Sequence, residues 1–243
     1  MKIKNVSFDT KSRPNVCVAI VATTEAMFNQ RWQETRRADI DVIEWRADYY
    51  TGDGATPLSW LKAESRPVIY TIRTKEEGGE WPYQKDQYMA RYKQAIDSGA
   101  VDVIDLEWAR DGEAKTILKS YAKEHGVKVI TSYHDFNATP DFKAGMKLLQ
   151  ALSEDGGDIV KLAVMPESKQ DVLTLLSLTL EVKKVISQPV ITMSMGQEGV
   201  ISRLLGEWSG SVLTFGSVSQ ASAPGQVTVT DLTHTLKDLH RYF

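Results

Sequence analysis

Polar and apolar positions along this chain fall into a repeating pair of patterns. A short β-branched run is followed by a longer stretch with helical spacing, and the pair recurs. The strand-like runs begin near Val16, Asp41, Val68, Val101, Val127, Asp158, Val190 and Val212. The clearest helical patterns cover 24–37, 56–65, 83–98, 113–125, 141–152, 168–186 and 230–242, and only a short helix, 198–206, fits between the seventh and eighth strands. Gly99, Gly126 and Gly157 stand where helices are expected to stop. Eight strands alternating with eight helices in about 250 residues is the arithmetic of a (β/α)8 TIM barrel. One domain spanning 1–243 is expected. A doubly wound open sheet also alternates, but it calls for a glycine-rich turn after the first strand, and Ala22-Thr23-Thr24 has no glycine. The first ten residues, with Ile3, Val6 and Phe8, are expected to form a β-hairpin that closes the bottom of the barrel.

Parallel strands covered by helices should be almost continuously apolar. Here five of them carry charge toward the C-terminal end. Side chains alternate faces along a strand, so the second strand puts Val42, Glu44 and Arg46 on one face, and the fourth puts Asp105 and Glu107 on the face of Val103. The third ends in Arg73, the fifth in His134, and the sixth carries Lys161 between apolar neighbours. Active sites of TIM barrels gather at the C-terminal ends of several strands. A set of salt bridges closing the mouth would explain any one of these residues, but less well all five strands together.

Composition narrows the chemistry. With 29 basic and 32 acidic residues the net charge is −3, which offers no footprint for nucleic acid. No run approaches the roughly 18 apolar residues of a membrane span, and the polar, charged first fourteen residues lack the apolar core of a signal peptide. A soluble, cytoplasmic protein is expected. The single cysteine, Cys17, excludes an intrachain disulfide and a cysteine-rich zinc site. One candidate histidine among several arginines makes a poor metal site, so neither metal nor organic cofactor is expected. Arginines and a lysine in one mouth attract an anion. A small carboxylate-bearing carbonyl compound fits better than a phosphate, because no glycine-rich turn follows the last two strands.

Lys161 carries most weight. Flanked by Ile159, Val160, Leu162 and Ala163, it is costly to bury charged, and a neutral amine attacks a ketone. His134 is the natural acid–base partner. His125, His234 and His240 look structural, the first at a helix C-terminus and the others on the last helix.

The chain resembles the type I 3-dehydroquinate dehydratases, the Schiff-base enzymes of the shikimate pathway that leads to chorismate and the aromatic amino acids. The resemblance rests on Glu44-Trp45-Arg46-Ala47-Asp48, Arg73 with Glu77-Gly78-Gly79, Ser132-Tyr133-His134-Asp135-Phe136, and the run from Asp158 through Lys161 to Ala163. It continues through Thr192 to Met195, Ile201-Ser202-Arg203, and Ala221-Ser222-Ala223-Pro224-Gly225-Gln226. It implies that Lys161 forms the imine, that His134 is the general acid and base, and that Glu77 orients and tunes it, with Asp105 as a further support. It implies that Arg203, Ser222 and Gln226 grip the carboxylate of 3-dehydroquinate, and that Glu44, Arg46 and Arg73 surround the ring hydroxyls. It implies a homodimer. Ala19 stands where some members carry a small polar residue. Read from the residues alone, Ser222 and Gln226 fit an ordinary Pro-Gly turn and Arg203 a helix cap. Met193 and Met195 read as barrel filling and pocket wall. The loop from Gly216 to Gln226 is expected to close over substrate. The alternatives are a Schiff-base aldolase on the same barrel, also using Lys161, and a non-catalytic barrel that binds quinate-like acids.

Overall fold

A computed structural model describes residues 1–218 and 225–242. A two-residue antiparallel hairpin, β1 (Lys2–Ile3) and β2 (Val6–Ser7), precedes the barrel strands β3 (Asn15–Val21), β4 (Val42–Arg46), β5 (Val68–Thr71), β6 (Val103–Glu107), β7 (Lys128–Asp135), β8 (Ile159–Val164), β9 (Val190–Ser194) and β10 (Leu213–Ser217). Each barrel strand from β3 to β8 pairs in parallel with the next, and β10 pairs with β3. The seam between β9 and β10 closes through a bridge from Val190 to Ser211. A short β11 (Val227–Thr228) continues the edge of β10. The architecture is the expected TIM barrel, and every strand starts within two residues of its expected position.

The helices are α1 (Glu25–Arg36), α2 (Ala55–Leu61), α3 (Lys85–Asp97), α4 (Gly112–Glu124), α5 (Phe142–Glu154), α6 (Lys169–Val182), α7 (Val200–Leu204), α8 (Gly206–Ser209) and α9 (Val229–Leu239). Short polar side chains start most of the long ones, where their oxygens satisfy the first free N–H groups. Asp111 and Asp141 accept from Ala114 and Ala144, both at 2.8 Å, and Ser168 with Asp171 forms a reciprocal capping box. The short helix expected over 198–206 is two pieces, interrupted at Leu205, whose backbone (φ −94°, ψ 19°) leaves the helical region; at Gly206, which follows, a Cβ would come within 2.8 Å of Pro14 Cγ. Helix α2 stops at Leu61, four residues early, and the Glu64 carboxylate takes the N–H groups of Ser65 and Arg66. The turn after α5 uses Gly156, not Gly157, for its left-handed residue (φ 87°); Gly157 is needed for room, since a Cβ there would sit 2.5 Å from Thr131 Oγ1.

The barrel interior is layered. At the bottom Cys17, Val42, Ile69, Val103, Ile130, Ile159, Ile191 and Leu213, one from each strand, pack with Ile3, Val6 and Phe8 of the hairpin in one buried apolar cluster. The hairpin therefore closes the bottom as expected, and its three apolar residues are what hold it there. A second cluster fills the space between sheet and helices, rich in aromatics around Trp45, Tyr70, Tyr88 and Tyr92. No helix among the described residues is long and apolar enough to cross a membrane.

Candidate active site

Two residues above the apolar layer, alternation brings Glu44, Thr71, Asp105, Ser132 and Lys161 into the interior, and two further on it brings Arg46, Arg73, Glu107 and His134. Of these, Glu44, Lys161, Arg46, Arg73 and His134 line a cavity of about 260 Å³ at the C-terminal mouth, together with Glu77, Arg203, Gln226 and aromatic and methionine side chains. The structure thus gathers every expected site residue except Ser222, which lies outside the described residues. Much of the loop expected to close over substrate lies outside them too. Met193 and Met195 form cavity wall. Ala19 is not on the cavity lining.

Lys161 is 4% exposed. Its neighbours in sequence are apolar, but its neighbours across the barrel are not. Nζ donates to Asp105 Oδ2 at 2.9 Å, lies 3.7 Å from Glu44 Oε1, and sits 5.0 Å from the centre of the Phe215 ring. Glu44 is held in turn by the Thr71 hydroxyl at 2.8 Å. The resting lysine is therefore paired with carboxylates and not isolated among hydrocarbon, so apolar burial is not what prepares it. Asp105 also binds Arg73 Nη2 at 2.9 Å and the Ser132 hydroxyl at 2.5 Å. Despite the burial of its carboxyl, Arg73 and Lys161 hold it far below the usual carboxylate range. Asp105 thus supports the lysine by direct contact and reaches His134 only through its charge.

His134 pairs with Glu77. Its Nδ1 is 2.9 Å from Glu77 Oε2, and its backbone N–H donates to the same oxygen at 3.1 Å. This leaves Nε2 for the cavity. Burial first, then the charges of Arg73 and Lys161, push the imidazole well below its ordinary range, so it is neutral at neutral pH. Burial pushes the Glu77 carboxyl up to about 8, against the pull of Arg73. Glu77 does not come from a strand. It ends a 3-10 turn (Lys75–Glu77) that Gly78 closes in a left-handed conformation, and Gly79 passes so near the chain that a Cβ would meet Arg73 O at 2.0 Å. The turn is anchored by Glu107, which accepts from the Thr74 N–H and hydroxyl, both at 2.7 Å, and pairs with Arg73 at 3.2 Å and Arg110 at 3.1 Å.

The arginines differ in their constraints. Arg46 is clamped by both oxygens of Asp48 at 2.8 Å, and its guanidinium lies 5.0 Å from the Tyr49 ring centre. Arg73 spans Asp105, Glu107 and Ser132. Arg203, on α7, is 1% exposed and turned into the cavity beside Met193. Burial brings its guanidinium down to about 10, so it stays charged at neutral pH. Ser132, Thr71, Phe215 and Asp48 also build the site, although sequence reading gave them no role; Glu107, which it placed on the face of Val103, holds the turn that carries Glu77. The first three lie on the interior alternation of their strands, which is the signal that could have found them. The other histidines stand apart: His125 caps α4, His234 is exposed, and His240 pairs with Glu207. Among the described residues no group of three or more His, Cys, Asp or Glu could hold a metal ion.

Comparison with known proteins gives a consistent result. The model of the type I 3-dehydroquinase family matches residues 16–242. The 3-dehydroquinate dehydratase of Salmonella agona is 42% identical over 238 residues, covering 94% of each chain. The type I 3-dehydroquinate dehydratase from Clostridium difficile, solved with covalently modified comenic acid, superposes with a TM-score of 0.93 at 37% identity, covering 100% of this chain and 98% of that one. The enzyme from Geobacillus kaustophilus also reaches 0.93, at 32% identity, with 100% and 96% covered.

Proposed function

Since this chain belongs to the type I 3-dehydroquinase family, a family of hydro-lyases that dehydrate 3-dehydroquinate, we propose that it does so through an imine on Lys161, with the His134–Glu77 pair moving the protons. The observation that carries this reading is a buried lysine, ion-paired and facing a cavity that also holds a neutral histidine backed by a carboxyl group.

Once Nζ has given up a proton, its lone pair adds to the ring ketone and water leaves as the protonated imine forms. That cation withdraws electrons from the adjacent carbon, so the C–H bond there becomes acidic. Nε2 of His134 takes the proton and the electron pair moves into an enamine. The enamine expels the β-hydroxyl, which leaves as water with a proton returned by His134. Hydrolysis of the conjugated imine frees 3-dehydroshikimate and regenerates the amine. In this scheme Asp105 and Glu44 hold the ammonium in place and then neutralise the iminium, at a point where low dielectric makes fixed charges effective. Arg203 with Gln226 and Ser222 takes the substrate carboxylate, and Glu44, Arg46 and Arg73 the ring hydroxyls. A cytoplasmic homodimer completes the reading.

The test is reduction with borohydride in the presence of 3-dehydroquinate, which fixes an imine as a stable amine. Mass spectrometry of peptides should place the adduct on Lys161. An adduct confined to another lysine, such as Lys128, overturns the assignment. Appearance of the conjugated enone by absorbance, without cleavage of a carbon–carbon bond, separates dehydration from an aldolase reaction and from silent binding.

A further inference from the structure

Tyr92 lies on α3, on the outer side of the sheet, and its side chain is completely buried. Its ring packs edge-on against Tyr70 at 5.5 Å and Tyr88 at 4.8 Å, which is how an aromatic filler between helix and sheet behaves. Its hydroxyl does something else. It accepts the Ile72 N–H at 3.0 Å and donates to the Asp105 carbonyl at 2.6 Å. The last paired residues of β5 and β6 are Thr71 and Asp105. Just where the ladder ends, two hydrogen bonds in series through one oxygen stand between the strands, where a ladder would have a single bond of about 2.9 Å. The hydroxyl is therefore a spacer that keeps the strand ends apart while leaving neither backbone group unsatisfied. Burial holds the phenol protonated far beyond its ordinary range, so it can both donate and accept at any working pH.

What the two backbones carry at this point is the charged centre of the site. Arg73 follows Ile72, and its guanidinium reaches back to Asp105 at 2.9 Å and Glu107 at 3.2 Å. Asp105 in turn holds Lys161. We propose that Tyr92 is a positioning residue for the dehydration: by fixing the separation of β5 and β6 it sets where Arg73 and Asp105 stand relative to Lys161 and His134. The inference rests on the roles given to Lys161 and His134 above. Without the hydroxyl the Ile72 N–H and the Asp105 carbonyl either close on each other or separate to reach other partners, since both are too costly to leave buried and unpaired, and in both cases Arg73 and Asp105 shift relative to one another. His134 is faced by Arg73, Lys161, Asp105, Arg46 and Glu77. Of the charges on it Arg73 acts most strongly, so displacing that guanidinium lets the imidazole take up its proton at higher pH.

Two measurements test this. In the native protein the Ile72 amide should exchange as slowly as that of Tyr70, although no strand pairs it; exchange at the rate of an open loop means the bridge does not exist and the proposal falls. In Tyr92→Phe the ring packing is kept. The variant should lose roughly 10- to 100-fold in kcat, the scale of a misplacement approaching 1 Å, with KM within about twofold. The His134 titration, followed by NMR of labelled imidazole, should move to higher pH. A variant with wild-type kcat and an unmoved His134 titration, even with a lower melting temperature, shows a filler and overturns the proposal. Borohydride trapping on wild-type enzyme is run alongside. If no adduct forms on Lys161 the mechanistic reading fails, whereas an adduct together with an indifferent Tyr92→Phe defeats this inference alone.

Discussion

Replacing Glu77 by glutamine isolates the oddest feature of the site, a carboxyl pushed up to about 8 beside a histidine pushed down. At pH 7 the pair then holds its proton on the carboxyl, which donates to Nδ1, and a neutral imidazole that accepts at Nδ1 carries its hydrogen on Nε2, facing the cavity. Nε2 becomes a base only when the carboxyl ionises and Nδ1–H turns toward it. kcat/KM should therefore rise with pH through about 8 in the wild-type enzyme. In Glu77→Gln the backbone N–H of His134 still needs an acceptor where Oε2 stood, so the amide oxygen takes that place and receives Nδ1–H as well. Nε2 is then free at lower pH, and the acid limb should move down by more than one unit. The maximal rate should fall roughly 10- to 100-fold, because no carboxylate stabilises the imidazolium that forms. Stability gives a second readout. The folded-state value lies above the unfolded 4.5, so between 4.5 and 8 the native protein keeps a proton that the unfolded chain has released, and wild-type stability declines as pH rises through that window. At about 1.4 kcal/mol per unit the difference between variant and wild type should grow in favour of the variant by at most about 5 kcal/mol from pH 4.5 to 8. Enone absorbance across pH 5–10 and urea melts at each pH supply the two curves. An acid limb that stays near 8 in Glu77→Gln, or parallel stability curves, would refute the reasoning.

His134→Ala should lose about 10²–10⁴-fold in kcat with little change in substrate affinity, and borohydride should still trap substrate on Lys161; near-normal turnover removes its acid–base role. Arg203→Lys keeps the charge but not the planar fork, so KM for 3-dehydroquinate should rise roughly 10- to 100-fold with kcat less affected, and normal affinity would reduce Arg203 to a helix residue. Asp105→Asn deprives both Lys161 and Arg73 of a buried counter-charge; denaturant melts at pH 7 should show a loss of about 3–5 kcal/mol, and a loss under 1 kcal/mol would mean that the pairs are not formed. Because Asp105 has its carboxyl depressed, its stabilisation is fully present above about pH 4 and declines as pH falls below that, so the gap between wild type and Asp105→Asn should narrow in acid.

How far the sequence speaks for this site depends on which element carries each residue. The alternation of a strand is rigid, so Val42 in the apolar floor fixes Glu44 and Arg46 above it, and Ile159 fixes Lys161. The same step of two reaches Asp105 and His134 from Val103 and Ile130. What a strand pattern cannot give is the neighbour across the barrel. Asp105 meets Lys161 and not His134 because of how the strands are placed around the ring, and nothing local to either strand encodes that. Glu77 sits on a turn, where no period exists; only the likeness to a family pointed to it. Tyr92 is the opposite case, a residue whose periodic position is plain and whose function is hidden by it, since a tyrosine on the inner face of α3 reads as core and its hydroxyl hydrogen bonds are made with two strands at once.

The vertical order of the interior explains why a lysine can be buried here at all. Isolated in hydrocarbon its charge would be very costly, and a carboxylate alone in the same place equally so. In this barrel the floor is apolar and sealed by the hairpin, and the charges begin one layer up, where Lys161 and Arg73 flank Asp105. Those contacts run between β8, β6 and the end of β5, so none exists until the strands are assembled. The charged layer therefore gives no stability until β5 to β8 lie side by side, an assembly that the hydrophobic floor and the aromatic layer under the helices must supply. The same arrangement serves the chemistry. Asp105 already faces the nitrogen where the iminium charge appears, so little reorganisation is needed each time that nitrogen becomes cationic, first as the resting ammonium and again as the protonated imine.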